Sequence, residues 1–297
     1  MDNSLNTELE AETKVYKPSR ATRLFTIWRK LKRSRLAVSG LGIVIFLSLI
    51  AVLAPIIAPD PNLMGVARLP PSVEHPFGTD SRGRNMLSLV IYGARVSLYV
   101  GFGSVALELL IGLGFGMIAG YFGGIIDEIL MRITDVIMTL PELLLLILAV
   151  SIFEVKSIHY IILIMGVIGW PFVARVVRSE FLTLRERTYV EAAHSMGASS
   201  WRIIIHHILP NTLSTIVVIA TMEIPWYIFY EASLTFLGFG DPSTASWGVL
   251  LELGADYIRA QWWMVTFPGL ALFFTSLGFN LFGDGLRDAL DVKQSVR

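Results

Sequence analysis

"LAVSGLGIVIFLSLIAVLAPIIA", residues 36–58, runs for 23 positions without a charged residue. A helix rises 1.5 Å per residue, so the run can cross a hydrocarbon core about 30 Å thick. It is too long for the core of a signal peptide, and its flanks do not fit one. It therefore reads as a retained transmembrane helix. Nine Lys and Arg residues fall within 14–35, just ahead of it. The positive-inside rule then puts the N-terminus in the cytoplasm. Within that basic stretch Leu24, Ile27, Trp28 and Leu31 recur at i, i+3, i+4 and i+7. This spacing predicts an amphipathic helix lying on the anionic inner leaflet, with a solvated basic tail as the alternative. Residues 1–13 are polar and acidic and read as disordered.

Composition extends the membrane reading to the rest of the chain. Of its 297 residues 54% are hydrophobic and 16% charged, against about 25% charged in soluble domains. Further spans are expected at 96–119, 129–153, 158–177, 214–236 and 264–283, six in all, with both termini cytoplasmic. Arg178, Arg185, Arg187 and Arg202 fit a cytoplasmic 178–213, and Arg287, Lys293 and Arg297 a cytoplasmic C-terminal tail. The expected organisation is a cytoplasmic tail and interfacial helix (1–35), a first span (36–58), an extracytoplasmic segment (59–95), a core of five spans (96–287) and a tail (288–297). The fold class is an all-α membrane bundle. Net charge is zero, so no nucleic-acid partner is expected. No cysteine is present, which excludes disulfides, thiolate chemistry and Cys-ligated metal.

The segment "YVEAAHSMGASSWRIIIHHILPN", 189–211, is polar and interrupts this apolar chain. Thr188 and Glu191 are spaced as a capping box, and Gly197 is a natural helix stop. Ser199 or Ser200 can cap a second helix, which Pro210 would end or kink. A helix of two turns is unstable alone in water and needs a partner surface. The small side chains of Ala192, Ala193 and Ala198 let such a surface come close.

Glu191-Ala192-Ala193, then Gly197, then Leu209-Pro210, resembles the EAA loop of ATP-binding-cassette importer permeases in residues and in spacing. His207 stands where that family usually has Ile. "HPFGTDSRGRN" (75–85), with Gly78, Thr79, Asp80, Gly83 and Arg84, resembles the H-x-x-G-T-D-x-x-G-R-D segment of the dipeptide/oligopeptide/nickel subfamily, Asn85 replacing the usual Asp. "EASLTFLGFG" (231–240) and "GDGLRDALD" (283–291) are similar to two further stretches of that subfamily, in the same order. The resemblance is to its "C" type subunit. It implies a type I importer-like bundle, and a coupling helix around Glu191 that docks on an ATPase. The partners it implies are a second permease subunit, two ATPase subunits and an extracytoplasmic solute-binding protein, besides membrane lipid. The implied function is ATP-driven uptake of di- or oligopeptides across the bacterial inner membrane by alternating access. Nickel or metal chelates are the alternative cargo within the class.

No G-x-x-x-x-G-K-[ST] is present, so this chain is expected to bind no cofactor, ATP and Mg lying on partner subunits. His206 and His207 would point about 100° apart on a helix, poor for shared metal ligation, and no metal site is expected. No catalytic residues are proposed; the chain reads as a transport subunit. Glu108, Glu223 and Glu231 lie within spans, where ionisable groups are costly, and Glu142 follows Pro141 in another; each could line a polar route for substrate, or instead hydrogen-bond a neighbouring helix or be neutral by protonation. An ion-coupled secondary transporter would explain these carboxylates, but it predicts internal repeats that are not evident. An assembly subunit with no pathway of its own would explain the docking loop and the glycines. Glu128, Arg132 and Asp135 are spaced to pair along one helix. Gly112, Gly116 and Gly120 are spaced for close helix contact. Pro141, Pro171, Pro225 and Pro268 would kink their spans.

Overall fold

A computed structural model of the chain describes residues 20–153 and 157–290. The acidic stretch 1–13, Lys156 and the tail from 291 fall outside the described residues. Among the described residues there is no β-strand, only two isolated bridges, Met64 with Arg84 and Thr79 with Asn85. The helices are α1 (Arg20–Arg33), α2 (Arg35–Ile57), α3 (Met86–Phe122), α4 (Gly124–Met138), α5 (Glu142–Phe153), α6 (Ile158–Arg185), α7 (Thr188–Ser195), α8 (Ser200–Ile203), a π turn (Ile204–Ile208), α9 (Leu209–Phe236), α10 (Trp247–Ala255) and α11 (Trp263–Leu290).

α3 and α6 form the spine. A Cβ added to Gly112 would stand 2.6 Å from Val173 Cβ, one on Gly116 2.6 Å from the Ala174 carbonyl, and one on Gly120 2.6 Å from Phe181 Cβ. The same register carries Gly103 against Ile162 and Gly166 against Leu107. Both helices advance together along these contacts, so they run parallel. The intervening chain must therefore return from the end of α3 to the start of α6.

That return is made by α4 and α5, which are bent by 84° at a break of a few residues. The sequence predicts a span over 129–153 kinked at Pro141; the helix breaks outright at Thr139–Pro141. Pro141 supplies no N–H, and its ring disfavours the helical conformation of Leu140. Pro171, Pro225 and Pro268 lie inside the unbroken helices α6, α9 and α11. Among the described residues five helices are long and apolar enough to cross a membrane, and the bent pair makes a sixth when counted as one span. Asp135 of α4 pairs with Arg175 of α6 at 2.7 Å, not with Arg132, which meets only Glu128, at 3.9 Å on the surface. Asp127 of α4 receives the fork of Arg178 through Nε and Nη2.

α2 packs antiparallel on α11. A Cβ on Gly40 would stand 2.8 Å from the Gly278 carbonyl, and Gly285 abuts Ala37. The helices next to the two chain ends thus share one end of the bundle. α1 docks there: Leu31 is buried with Ala37 and Ala289, and Ile27 packs beside Phe282 and Leu286. The amphipathic face expected to lie wholly on lipid is divided, because Phe25 and Trp28 remain exposed; the Leu24 side chain falls outside the described residues. α10 was not anticipated from sequence. Its Trp247 is fully buried and donates through Nε1 to the Val90 carbonyl at 2.9 Å, pinning α10 to the first turns of α3.

The glycine register gives a direct test. A Cβ on Gly114 meets nothing within 4 Å, whereas one on Gly116 overlaps α6. Gly116→Ala should lower stability by about 1–3 kcal/mol through overpacking. Gly114→Ala should be neutral or stabilising by up to about 1 kcal/mol. Thermal unfolding of the detergent-purified protein checks both; equal melting temperatures would refute the close packing.

Candidate functional site

Two regions carry the chemistry. The first is a cavity of about 240 Å3 between α3, α5, α6 and α9. Glu108 of α3, Glu142 at the start of α5 and Glu223 near the middle of α9 all line it, with Trp226, Tyr227 and Tyr230. Tyr230 donates to Glu142 Oε2 at 3.3 Å, and Tyr227 lines the cavity with Glu108. Gly169 of α6 is needed here, since a side chain would collide with the Tyr227 hydroxyl. Sequence spacing brings Glu108 and Glu223 forward as a pair but cannot join Glu142 to them. The bend at Pro141 does that.

Glu231, named with them as a route residue, lies elsewhere. It is buried between α9 and α10, where Oε1 accepts from Ser246 Oγ at 2.6 Å and from Thr235 Oγ1 at 3.0 Å. Ser246 also caps α10 by accepting from Val249 N. Glu231 therefore ties α10 to α9 and does not line the cavity.

The second region is α7 with the turn after it. The expected capping box does not form: Arg187 is the N-cap, Thr188 is already helical, and no side chain caps the helix. Its exit follows the expectation. Gly197 has φ +81°, Gly197 N donates to His194 O at 2.9 Å, and Ala198 N donates to Ala193 O at 3.1 Å, a Schellman pair. Val190 and Ala193 are buried against Val177 and Phe181 of α6 and against Ile203, Ile204 and Ile208. The motif thus has two sides. Ala193 and Leu209 pack inward, while Glu191, Ala192, Gly197 and Pro210 face outward beside Met196. Pro210 neither ends nor breaks the helix. It falls in the first turn of α9, where its missing N–H costs little, and the π turn before it absorbs the irregularity. Asn211 Nδ2 donates to the His207 carbonyl at 2.6 Å and to the Tyr189 hydroxyl at 3.4 Å, linking α7 to α9.

The 75–85 motif is a folded clasp at the opposite end. Asp80 Oδ1 accepts from the N–H groups of Arg82 and Arg84, each at 2.8 Å, and Oδ2 from Arg84 Nε at 2.7 Å. Thr79 accepts from Leu69 N through Oγ1 at 2.8 Å, and its carbonyl accepts from Trp263 Nε1 at 3.0 Å. Gly78 and Gly83 have φ +71° and +82°, values that only glycine adopts cheaply. Asn85 is the N-cap of α3, accepting from Leu87 N at 2.9 Å. Asn and Asp cap equally well, so the departure from the usual Asp costs nothing here. Among the described residues no group of three His, Asp or Glu is placed to hold a metal ion.

Residues 112–296 match the family described as binding-protein-dependent transport system inner membrane component. The chain belongs to this family. Residues 22–71 match a second family, the N-terminal TM domain of oligopeptide transport permease C. The chain is 40% identical over 294 residues to the dipeptide transport system permease protein DppC of Bacillus subtilis, covering 97% of this chain and 92% of that one. It is 38% identical over 277 residues to the oligopeptide transport system permease protein OppC of the same organism, 90% of each chain. It is 41% identical over 272 residues to the glutathione transport system permease protein GsiD of Pectobacterium atrosepticum, again 90% of each. The chain is thus a multi-pass permease subunit of an ABC importer, a transport component and not an enzyme. Such a system implies an ATPase and a solute-binding protein as partners.

The clasp gives a stability prediction. Asp80 and Arg84 side chains are 3% and 13% exposed. Asp80→Ala leaves a buried guanidinium and two N–H groups unpaired and should cost about 3–5 kcal/mol. Asn85→Asp should leave stability within about 0.5 kcal/mol. Thermal unfolding in detergent checks both; an unchanged Asp80→Ala midpoint would show the clasp to be dispensable.

Proposed function

We propose that this chain is one of two permease subunits of an importer that carries peptides across the bacterial inner membrane. Two ATPase subunits, which bind ATP and Mg, drive it, and an extracytoplasmic solute-binding protein delivers the cargo. Both termini lie in the cytoplasm, and the 75–85 clasp lies outside. The peptide cargo is inferred from relatives named for dipeptide and oligopeptide transport.

The observation that carries the mechanism is the double anchorage of α7. Val190 and Ala193 seat it on α6 and the π turn, and Tyr189 reaches Asn211 at the start of α9. Glu191, Ala192 and Met196 remain outward for the ATPase. α6 and α9 are also two walls of the acidic cavity. Closure of the ATPases would move α7, and α6 and α9 with it, so that the cavity opens alternately to either side. ATP shifts this equilibrium only by its differential affinity for the two states.

Two experiments test the coupling. The complex purified in mild detergent should retain its P-loop ATPase in wild type and lose it in Glu191→Arg, by about tenfold if one charge-assisted contact reverses. Equal ATPase in both samples would overturn the docking role. Gly197→Val should uncouple ATP hydrolysis from peptide uptake, because a β-branched residue at positive φ costs about 1–3 kcal/mol. Coupled uptake at the wild-type ratio would show that the cap is not part of the transmission.

A further inference from the structure

Glu108, Glu142 and Glu223 reach one cavity from three helices, and no Lys, Arg or His stands on its wall. Like charges inside a membrane bundle call for a positive charge from outside or for protons. Glu108 is 1% exposed and lines the cavity, yet its Oε2 has no hydrogen-bond partner. A buried acceptor left open in this way is an acceptor awaiting a donor. A bare metal ion does not fit, because no three carboxylates converge at ligating distance among the described residues. The aromatic wall of Trp226, Tyr227 and Tyr230 suits an organic cation. A second cavity of about 290 Å3 adjoins, sharing Met138, Glu142, Gly169 and Phe172, and its own wall is apolar at Ile137 and Leu145. An acidic pocket opening beside an apolar one matches a charged head on a carbon body.

We propose that this cavity binds the α-ammonium group of the passing peptide, drawn to the acidic wall formed by Glu108, Glu142 and Glu223. The proposal rests on the peptide reading above and deepens it. An α-ammonium is common to peptides of any sequence, so the site reads the end of the chain and not its side chains. Because Glu142 sits at the 84° bend, an ammonium held there lies where α3, α5 and α9 meet the break.

The test uses the wild-type complex with its partner subunits in nanodiscs, without the solute-binding protein, so that selection by that protein plays no part. Dicyclohexylcarbodiimide, an apolar reagent for carboxyl groups, is added with tri-alanine, N-acetyl-tri-alanine or Ni2+. Adducts at Glu108, Glu142 and Glu223 are measured by mass spectrometry. At about two dissociation constants of ligand, tri-alanine should cut these adducts about threefold by mass action. N-acetyl-tri-alanine should not protect, and the Glu231 adduct should not change. Equal protection by both peptides, protection by Ni2+ alone, or no protection overturns the site. Equilibrium dialysis of radiolabelled tri-alanine supplies a readout independent of carboxyl reactivity. Glu108→Gln should bind about tenfold more weakly, the loss of one charge-assisted hydrogen bond; equal binding, or none in wild type, overturns the site. ATP-driven uptake of tri-alanine into proteoliposomes, with the binding protein added, separates the two levels. Uptake without protection removes the ammonium site and leaves the peptide reading standing, whereas absence of peptide uptake removes both.

Discussion

The close parallel contact of α3 with α6 is the constraint on which the rest of the architecture depends. Three glycines let the two backbones approach until Cβ atoms on one would overlap the other. Lipid tails offer no hydrophobic drive between helices, so association of this kind rests on van der Waals contact at short range. Parallel neighbours cannot be joined by a short loop. The chain must cross back between them, and α4 and α5 perform that crossing. Their break at Pro141 turns the backbone at the depth of Glu108 and Glu223 and delivers Glu142 to the same cavity.

The two ends of the bundle use different physics. At one end a clasp of backbone hydrogen bonds is organised around a buried carboxylate, Asp80, and locked to α11 by Trp263. Both oxygens of Asp80 accept hydrogen bonds within it, which suits a rigid brace. At the other end α7 is held mainly by the apolar contacts of Val190 and Ala193, with one hydrogen bond from Asn211 to Tyr189, and Glu191 and Ala192 are left outward. Apolar contact is non-directional and tolerates sliding, while a hydrogen-bonded clasp does not. The two segments are thus built from different interactions.

Much of this was legible in the residues. Charge-free runs long enough to span lipid announce the membrane helices, and Gly197 announces the stop of α7. The spacing of Gly112, Gly116 and Gly120 announces a tight contact but not its partner. The capping box at Thr188 and Glu191 is the instructive miss. Its residues are right, yet the helix starts one residue early, because Val190 and Ala193 must meet the apolar patch of α6 and the π turn. Tertiary burial there outweighs a local cap worth about 1 kcal/mol. α10 escaped notice for a similar reason: nine residues are too few to signal a span, and Trp247 finds its place only against α3.

The sequence by itself determined the class: a membrane bundle, its approximate spans, the polar stretch around Glu191 and its lack of a nucleotide-binding loop. These follow from composition and short spacings, which act locally along the chain. Only the tertiary structure decided which carboxylates share a cavity. Glu108 and Glu231 look alike in sequence, each a lone acid in an apolar helix. Glu108 lines a cavity, whereas Glu231 is buried between α9 and α10 with Oε1 held by Ser246 and Thr235. The difference is made by partners distant in the chain, set by the 84° bend for the first and by α10 for the second. No local spacing encodes that, because it depends on where separate helices come to lie.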